Sequence, residues 1–135
     1  MGYSNRIRAL ARRAASDVAA FDPPADPPDD ARATTYLREG FGPAVALYVE
    51  ARTGPGQVPF TEADLSTLEA AMNDWLGLYC RCYGTDFDPE FTVREAAELL
   101  VETHDARDVA QLLTDVPARH GGTRPAAGGR GREQN

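Results

Sequence analysis

Residues Phe60–Gly84 read FTEADLSTLEAAMNDWLGLYCRCYG and predict one long central helix. Thr61 followed three residues later by Asp64 is a capping-box pattern, which satisfies free amide groups at a helix start. Apolar side chains then recur at the three- and four-residue steps of one helix face, at Leu65, Leu68, Met72, Trp75, Leu76, Tyr79 and Tyr83. Gly84 should end the helix, since glycine accepts the left-handed conformation of a terminating turn. We expect the other helices to pack around this segment.

The charge composition is unusual, because all 14 basic residues are arginine and there are 21 acidic residues. A lysine-free, alanine-rich chain with a net charge of −7 indicates a high-GC genome and a salt-loaded cytoplasm, where acidic surfaces keep proteins soluble. Codon bias alone is the alternative explanation. The negative charge argues against whole-surface binding to nucleic acid or to an anionic membrane.

Length and hydropathy predict a soluble, cytoplasmic protein. A chain of 135 residues corresponds to one domain with tails. It has no apolar run of the roughly 18 residues that a membrane span needs. The N-terminal arginines are not followed by the continuous apolar stretch of a secretory signal.

Two different segments precede the core. Residues 1–21 predict a basic amphipathic helix, with an apolar stripe at Ile7, Leu10, Ala14, Val18 and Phe21. We expect this helix to pack on the helical core, where its arginines would pair with acidic surface residues. Residues 22–30 read DPPADPPDD and predict a stiff linker, because prolines favour extended backbone and the aspartates repel one another.

The first helices of the core are predicted from caps and breakers. A short helix capped by Asp29 or Asp30 should run through Glu39. The sequence Gly40-Phe41-Gly42-Pro43 should break it, and Pro43 suits the first position of the next helix.

Two further helices are predicted after the central one. Thr92 and Glu95 repeat the capping-box pattern before an apolar face formed by Val93, Ala96, Ala97, Leu100 and Val101. Asp105 can cap a last helix, which Pro117 ends. No alternating strand pattern appears, so we predict an all-α fold, a small bundle of about five or six helices.

We therefore divide the chain into the N-terminal helix, the linker, a helical core domain over residues 31–117 and a tail. Residues 118–135 are arginine- and glycine-rich with almost no apolar side chains, so we expect this C-terminal tail to be flexible and disordered.

Few residues suggest catalysis or metal binding. Cys80 and Cys82 lie two apart, which would place them on opposite sides of a helix and suits neither a redox pair nor a zinc site. The acidic residues 86–90 lack the glycine and the glutamate that a calcium loop requires. His104 near a helix end is interpreted as structural. We expect no enzyme activity, no metal and no cofactor.

One short stretch suggests a nucleic-acid-binding alternative. Residues 91–100, FTVREAAELL, resemble the first helix of winged helix-turn-helix domains of the MerR and excisionase type. The resemblance implies that a turn and a basic recognition helix follow. The turn here, residues 101–105, contains no glycine. Under this alternative the nucleic-acid contacts would be Arg94, Arg107, Gln111, Arg119 and Arg124.

The leading hypothesis is a non-catalytic module that binds another protein or a second copy of itself. It depends on the lack of site chemistry beside a good supply of aromatic residues. The candidate partner-binding residues are Tyr48, Trp75, Tyr79 and Tyr83. The apolar positions of the central helix also fit a coiled-coil heptad, which would favour self-association.

Overall fold

The computed structural model describes residues 3–53 and 60–117, and within these ranges all regular structure is helical. This confirms the all-α prediction. The helices are α1 (Tyr3–Ala20), α2 (Asp30–Tyr36), a π-helical segment (Leu37–Phe41), α3 (Gly42–Thr53), α4 (Glu62–Cys82), α5 (Val93–Thr103) and α6 (Ala106–Thr114). The prediction for the tail from residue 118 lies outside the described residues.

Helix α4 is the centre of the bundle, as predicted. It packs against α1, α2, the π segment, α3 and α5. Its fully buried side chains include Trp75 and Tyr79, the two largest in the core. The heptad positions that suggested pairing with another chain are therefore largely occupied by packing within this one.

The ends of α4 follow the predicted local chemistry with one difference. The Thr61 hydroxyl accepts a hydrogen bond from the Asp64 amide at 3.0 Å. The Asp64 carboxylate does not accept a hydrogen bond from the Thr61 amide, as a capping box would require. It accepts one from the Ser4 hydroxyl of α1 at 2.8 Å instead. At the other end, Gly84 has φ of +80°. The amides of Gly84 and Thr85 donate to carbonyls of the last turn, which is a Schellman motif.

The predicted break at residues 40–43 is wrong, because α2, the π segment and α3 form one continuous helical stretch. The amide of Gly42 donates to the Leu37 carbonyl five residues back, the π-helical pattern. Pro43 has no amide hydrogen and would leave the Glu39 carbonyl unsatisfied in an α-helix. Arg13 of α1 donates to that carbonyl at 2.7 Å, so a distant side chain replaces the missing bond.

Helix α1 packs along α4 and meets its tryptophan. The indole Nε1 of Trp75 donates to Asp17 at 2.8 Å, and the Arg13 guanidinium lies 5.9 Å from the ring centroid. Ile7 and Ala14 are the fully buried residues of α1. Val18, which the sequence placed on the apolar stripe, remains 41% exposed.

Candidate functional site

The candidate site is a surface groove between α3 and α5, which we call the α3–α5 groove. Two adjoining depressions of about 220 and 500 Å³ form it. Arg94 at the start of α5 lies in the same depression as Thr53 at the end of α3, whereas His104 shares the other depression with Ala46. The two helices therefore run antiparallel, and the groove follows them for about 12–15 Å at the helical rise per residue.

The middle of the groove is apolar and open to solvent. Val49 and Val101 line both depressions and so mark its centre. Val101 is 58% exposed, more than any other large hydrophobic side chain in the described residues. The flanking walls include Ala97 and Leu100. A large apolar side chain is therefore exposed in the middle of an apolar seam.

The two halves of the groove differ in charge. One half carries Arg52 and Arg94, and Arg94 pairs with Glu98 at 3.5 Å. Arg52 donates to the Tyr48 hydroxyl at 3.2 Å and forms no ion pair with a described residue. The other half carries Glu50 as its only carboxylate.

The carboxylate of Glu50 is held by the first turns of α1. The two terminal nitrogens of Arg6 donate to its two oxygens at 2.9 and 3.2 Å, and the Tyr3 hydroxyl donates at 3.2 Å. The hydrogen bond from Arg6 holds the pKa of Glu50 below its ordinary value. Both partners are about half exposed, so the pair is a surface contact of modest strength.

The structure separates the four candidate aromatic residues. Tyr48 lines the groove and is half-buried. Trp75 and Tyr79 are fully buried in the core, where they contact the chain itself. Tyr83 is half-buried at the end of α4, with its ring 5.3 Å from that of Tyr79. Among the four, only Tyr48 therefore contributes to the groove.

Tyr83 belongs to a polar cluster around Arg107 that joins three helices. Arg107 donates to Asp30 at 3.1 Å, to Tyr83 at 2.9 Å and to Thr34 at 3.0 Å. Tyr83 also donates to Asp30. Hydrogen bonds from Tyr83 and Arg107 lower the pKa of the Asp30 carboxyl. The cluster ties α6 to the start of α2 and the end of α4, which is a structural role.

Replacing Asp30 should make the free energy of unfolding less dependent on pH under acidic conditions. Because the folded-state pKa of Asp30 lies below its ordinary 3.8, its contribution is present above about pH 4 and is lost as pH falls through the lower value. We expect Asp30→Asn to reduce the loss of unfolding free energy between neutral pH and about pH 2. Urea titrations at several pH values measure this. Asp26→Asn, in the segment before α2, is the control, and an equal effect of both changes would contradict the prediction.

The candidate nucleic-acid contacts do not form one surface. Arg94 lies in the groove, whereas Arg107 is engaged in its cluster and Gln111 donates to the Pro117 carbonyl at 2.7 Å. The exposed side chains of α6 include Asp108 and Leu112. Arg119 and Arg124 lie outside the described residues. Helices α5 and α6 are joined by a tight turn, but the second helix presents no free basic face within the described part of the chain.

The two thiols, of Cys80 and Cys82, are buried, whereas His104 lies at a helix end. Burial raises the pKa of the Cys80 and Cys82 thiols to about 11, which disfavours the reactive thiolate. His104 is an exposed C-cap of α5 with φ of 58°. Within residues 3–53 and 60–117, no group of three or more His, Cys, Asp or Glu side chains is arranged to hold a metal ion.

Among the groove residues, the sequence predicts Tyr48 as a partner-binding residue and Arg94 as a nucleic-acid contact under the alternative, but it predicts no site role for Val49 or Val101. The sequence pattern places Val101 on the apolar stripe of α5 that begins at Val93. On a helical wheel it lies about 80° from Val93, at the edge of that stripe, because each residue advances the chain by about 100°. This edge position was the one sequence signal for its exposure.

The fold and its surface groove define a small helical bundle with an open apolar seam. The chain belongs to the family described as Domain of unknown function (DUF8055), which matches residues 1–118. No curated protein and no solved structure matches the chain. None of the described helices is long and apolar enough to cross a membrane.

Proposed function

We propose that this protein is a non-catalytic interaction module that associates with a second copy of itself through the α3–α5 groove. The observation that carries the proposal is Val101, which is more than half exposed at the centre of an apolar seam between two antiparallel helices. Such a seam is completed by packing further helices against it, as in a four-helix bundle. The lysine-free, acidic composition supports a salt-adapted cytoplasm as the setting.

A second copy suits the groove because apolar side chains form its centre and charges of both signs flank them. A two-fold axis that crosses the groove at its centre would place the apolar centres of the two copies, at Val49 and Val101, against each other. An isologous contact of this kind requires a self-complementary patch, and an apolar centre flanked by charges of both signs meets that requirement.

The dimer should be reversible. A standard stable interface buries about 800 Å² on each partner, more than a groove of two to three helical turns presents. We therefore expect a dissociation constant in about the micromolar range. Each copy carries a net charge of −7, so salt should strengthen association by screening the repulsion between copies.

Val101→Glu tests the proposal directly. Placing a carboxylate at the centre of the apolar contact should raise the dissociation constant at least about tenfold, because a buried, unpaired charge is costly. Sedimentation equilibrium at about 1 M salt, where the screening length is about 3 Å, measures the change.

Leu112→Glu is the matched control, since Leu112 is 42% exposed on α6 and lies outside the groove. It should leave association unchanged, and circular dichroism should show that both variants keep their helices. A wild-type protein that stays monomeric, or equal weakening by both substitutions, would sink the proposal.

A further inference from the structure

We propose that the α3–α5 groove binds a free single-chain amphiphile with an anionic head group, and that this ligand competes with the second copy for the groove. The binding follows from the groove of one chain, whereas the competition rests on the proposed function. The ligand class is a carboxylate, sulfate or phosphate joined to one unbranched apolar chain.

The anionic head group would lie in the depression that holds two guanidinium groups. Arg52 and Arg94 both line it, one from each helix. Arg52 contacts the hydroxyl and the ring of Tyr48 and forms no ion pair within the described ranges of the chain. Arg94 pairs with Glu98 at 3.5 Å, but 77% and 69% of the two side-chain surfaces are exposed. Exposed pairs of this kind are weak, so Arg94 can exchange Glu98 for a ligand.

The charge of this depression favours an anion. Two guanidinium groups face one carboxylate there, which leaves one positive charge in excess, although the whole chain has a net charge of −7. Guanidinium groups bind carboxylate and phosphate oxygens through paired, charge-assisted hydrogen bonds. The carboxylate of the second depression, Glu50, accepts hydrogen bonds from Arg6 at both oxygens, so its charge is compensated within the chain.

The apolar chain of the ligand would lie along the rest of the groove. Val49 and Val101 continue from the first depression into the second, where Ala46 and Leu100 add further apolar surface. The volumes of about 220 and 500 Å³ together fall in the range of roughly 300–1,000 Å³ of small-molecule sites. At the helical rise the groove is about 12–15 Å long, which suits one chain of medium length lying lengthwise. Such a chain would cover Val101, which is 58% exposed.

Decanoate is the probe, titrated below its micelle concentration into the isotope-labelled full chain and followed by amide NMR. At about 0.1 M salt the screening length is about 10 Å, so repulsion between copies keeps the groove free. We expect saturable shifts at the amides of Val49, Arg52, Arg94 and Val101. Decyltrimethylammonium, a cationic amphiphile with a chain of the same length, is the comparison. The net charge of −7 would favour the cation in non-specific association, so tighter binding of decanoate indicates the two arginines.

Substitution of the two arginines tests where the head group binds. Arg52→Gln and Arg94→Gln should each raise the dissociation constant of decanoate about twofold to fivefold, the fold-change of one exposed ion pair. The double variant should lose the preference for decanoate over the cationic amphiphile. Arg8→Gln is the matched control, because it removes the same charge from a side chain that donates to Asn5 within α1. It should leave decanoate binding unchanged, and circular dichroism should show that all variants keep their helices.

Sedimentation equilibrium at about 1 M salt tests the competition. Saturating decanoate should raise the dissociation constant of the dimer, and binding of decanoate without this effect overturns the shared use of the groove. The ligand site is overturned if decanoate shows no saturable binding, binds no more tightly than the cationic amphiphile, or is unaffected by the double substitution. Binding seen only with phosphatidylglycerol vesicles overturns it as well, since it would require a membrane.

The results separate this inference from the proposed function. A dimer that Val101→Glu weakens, in a protein that does not bind decanoate, keeps the interface and overturns the ligand site. A wild type that stays monomeric but binds decanoate through Arg52 and Arg94 keeps the ligand site and overturns the interface together with the competition.

Discussion

Gly40→Ala should destabilise the protein by about 2–3 kcal/mol, although alanine is the better helix former. A Cβ atom at Gly40 would lie 2.4 Å from two ring carbons of Trp75. That ring is fully buried and held by Asp17 through its indole nitrogen, so it cannot move aside without disturbing α1. The overlap is relieved only if the π segment shifts away from α4, which opens the centre of the core.

Gly77→Ala is the matched control for this prediction. A Cβ atom at Gly77 would meet Pro89 at 3.5 Å, an ordinary van der Waals contact. This substitution should be neutral or stabilise the fold by up to about 1 kcal/mol, because it removes a glycine from a helix interior. Denaturant titrations followed by circular dichroism measure both variants. Equal changes in the free energy of unfolding for the two variants would show that the Trp75 ring does not exclude a Cβ atom at position 40.

Trp75→Ala should have the largest effect, a loss of about 3–5 kcal/mol. The side chain is the largest in the core and lies where α1, the π segment and α4 meet. Its removal leaves a cavity and an unpaired Asp17. Since domains are commonly stable by only about 5–15 kcal/mol, this variant should be marginal at low salt. Trp75→Phe keeps most of the apolar volume but loses the indole hydrogen bond, so it should cost less.

The double variant provides the sharper measurement. Once Trp75 is replaced by alanine, the space beside Gly40 is open, and Gly40→Ala should then cost nothing further. A double-mutant cycle should therefore give a coupling energy of about 2–3 kcal/mol between the two positions, within the range for residues in contact. Additive effects would contradict the close approach of the Gly40 backbone to the indole.

Local hydrogen bonding explains the features that could be predicted from the sequence. Thr61, Thr92 and Asp105 each accept a bond from a backbone amide two or three residues ahead, and Thr92 with Glu95 forms a complete capping box. The Gly84 turn is equally local. These contacts depend only on neighbours in the chain, so sequence spacing is enough to identify them.

The candidate site was less predictable, because aromatic and apolar side chains suit a core and an interface equally. Trp75 and Tyr79 are residue types common in interfaces, yet both are fully buried, with Trp75 bonded to Asp17 of α1 and Tyr79 to the Val116 carbonyl. Val101 is a residue type common in cores, but its side chain faces solvent. Burial depends on which helices pack on each side, and helical periodicity in one segment does not contain that information.

The sequence by itself determined an all-helical chain organised around α4, with its caps and its terminating glycine. Only the tertiary structure decided that the chain continues as a helix through Gly40 and Pro43. The Glu39 carbonyl that Pro43 leaves without a donor is satisfied by Arg13, 26 residues earlier in the chain, and the bare Gly40 backbone fits against Trp75. A local breaker is overridden because α1 and α4 supply, from a distance, the hydrogen bond and the packing that the segment lacks.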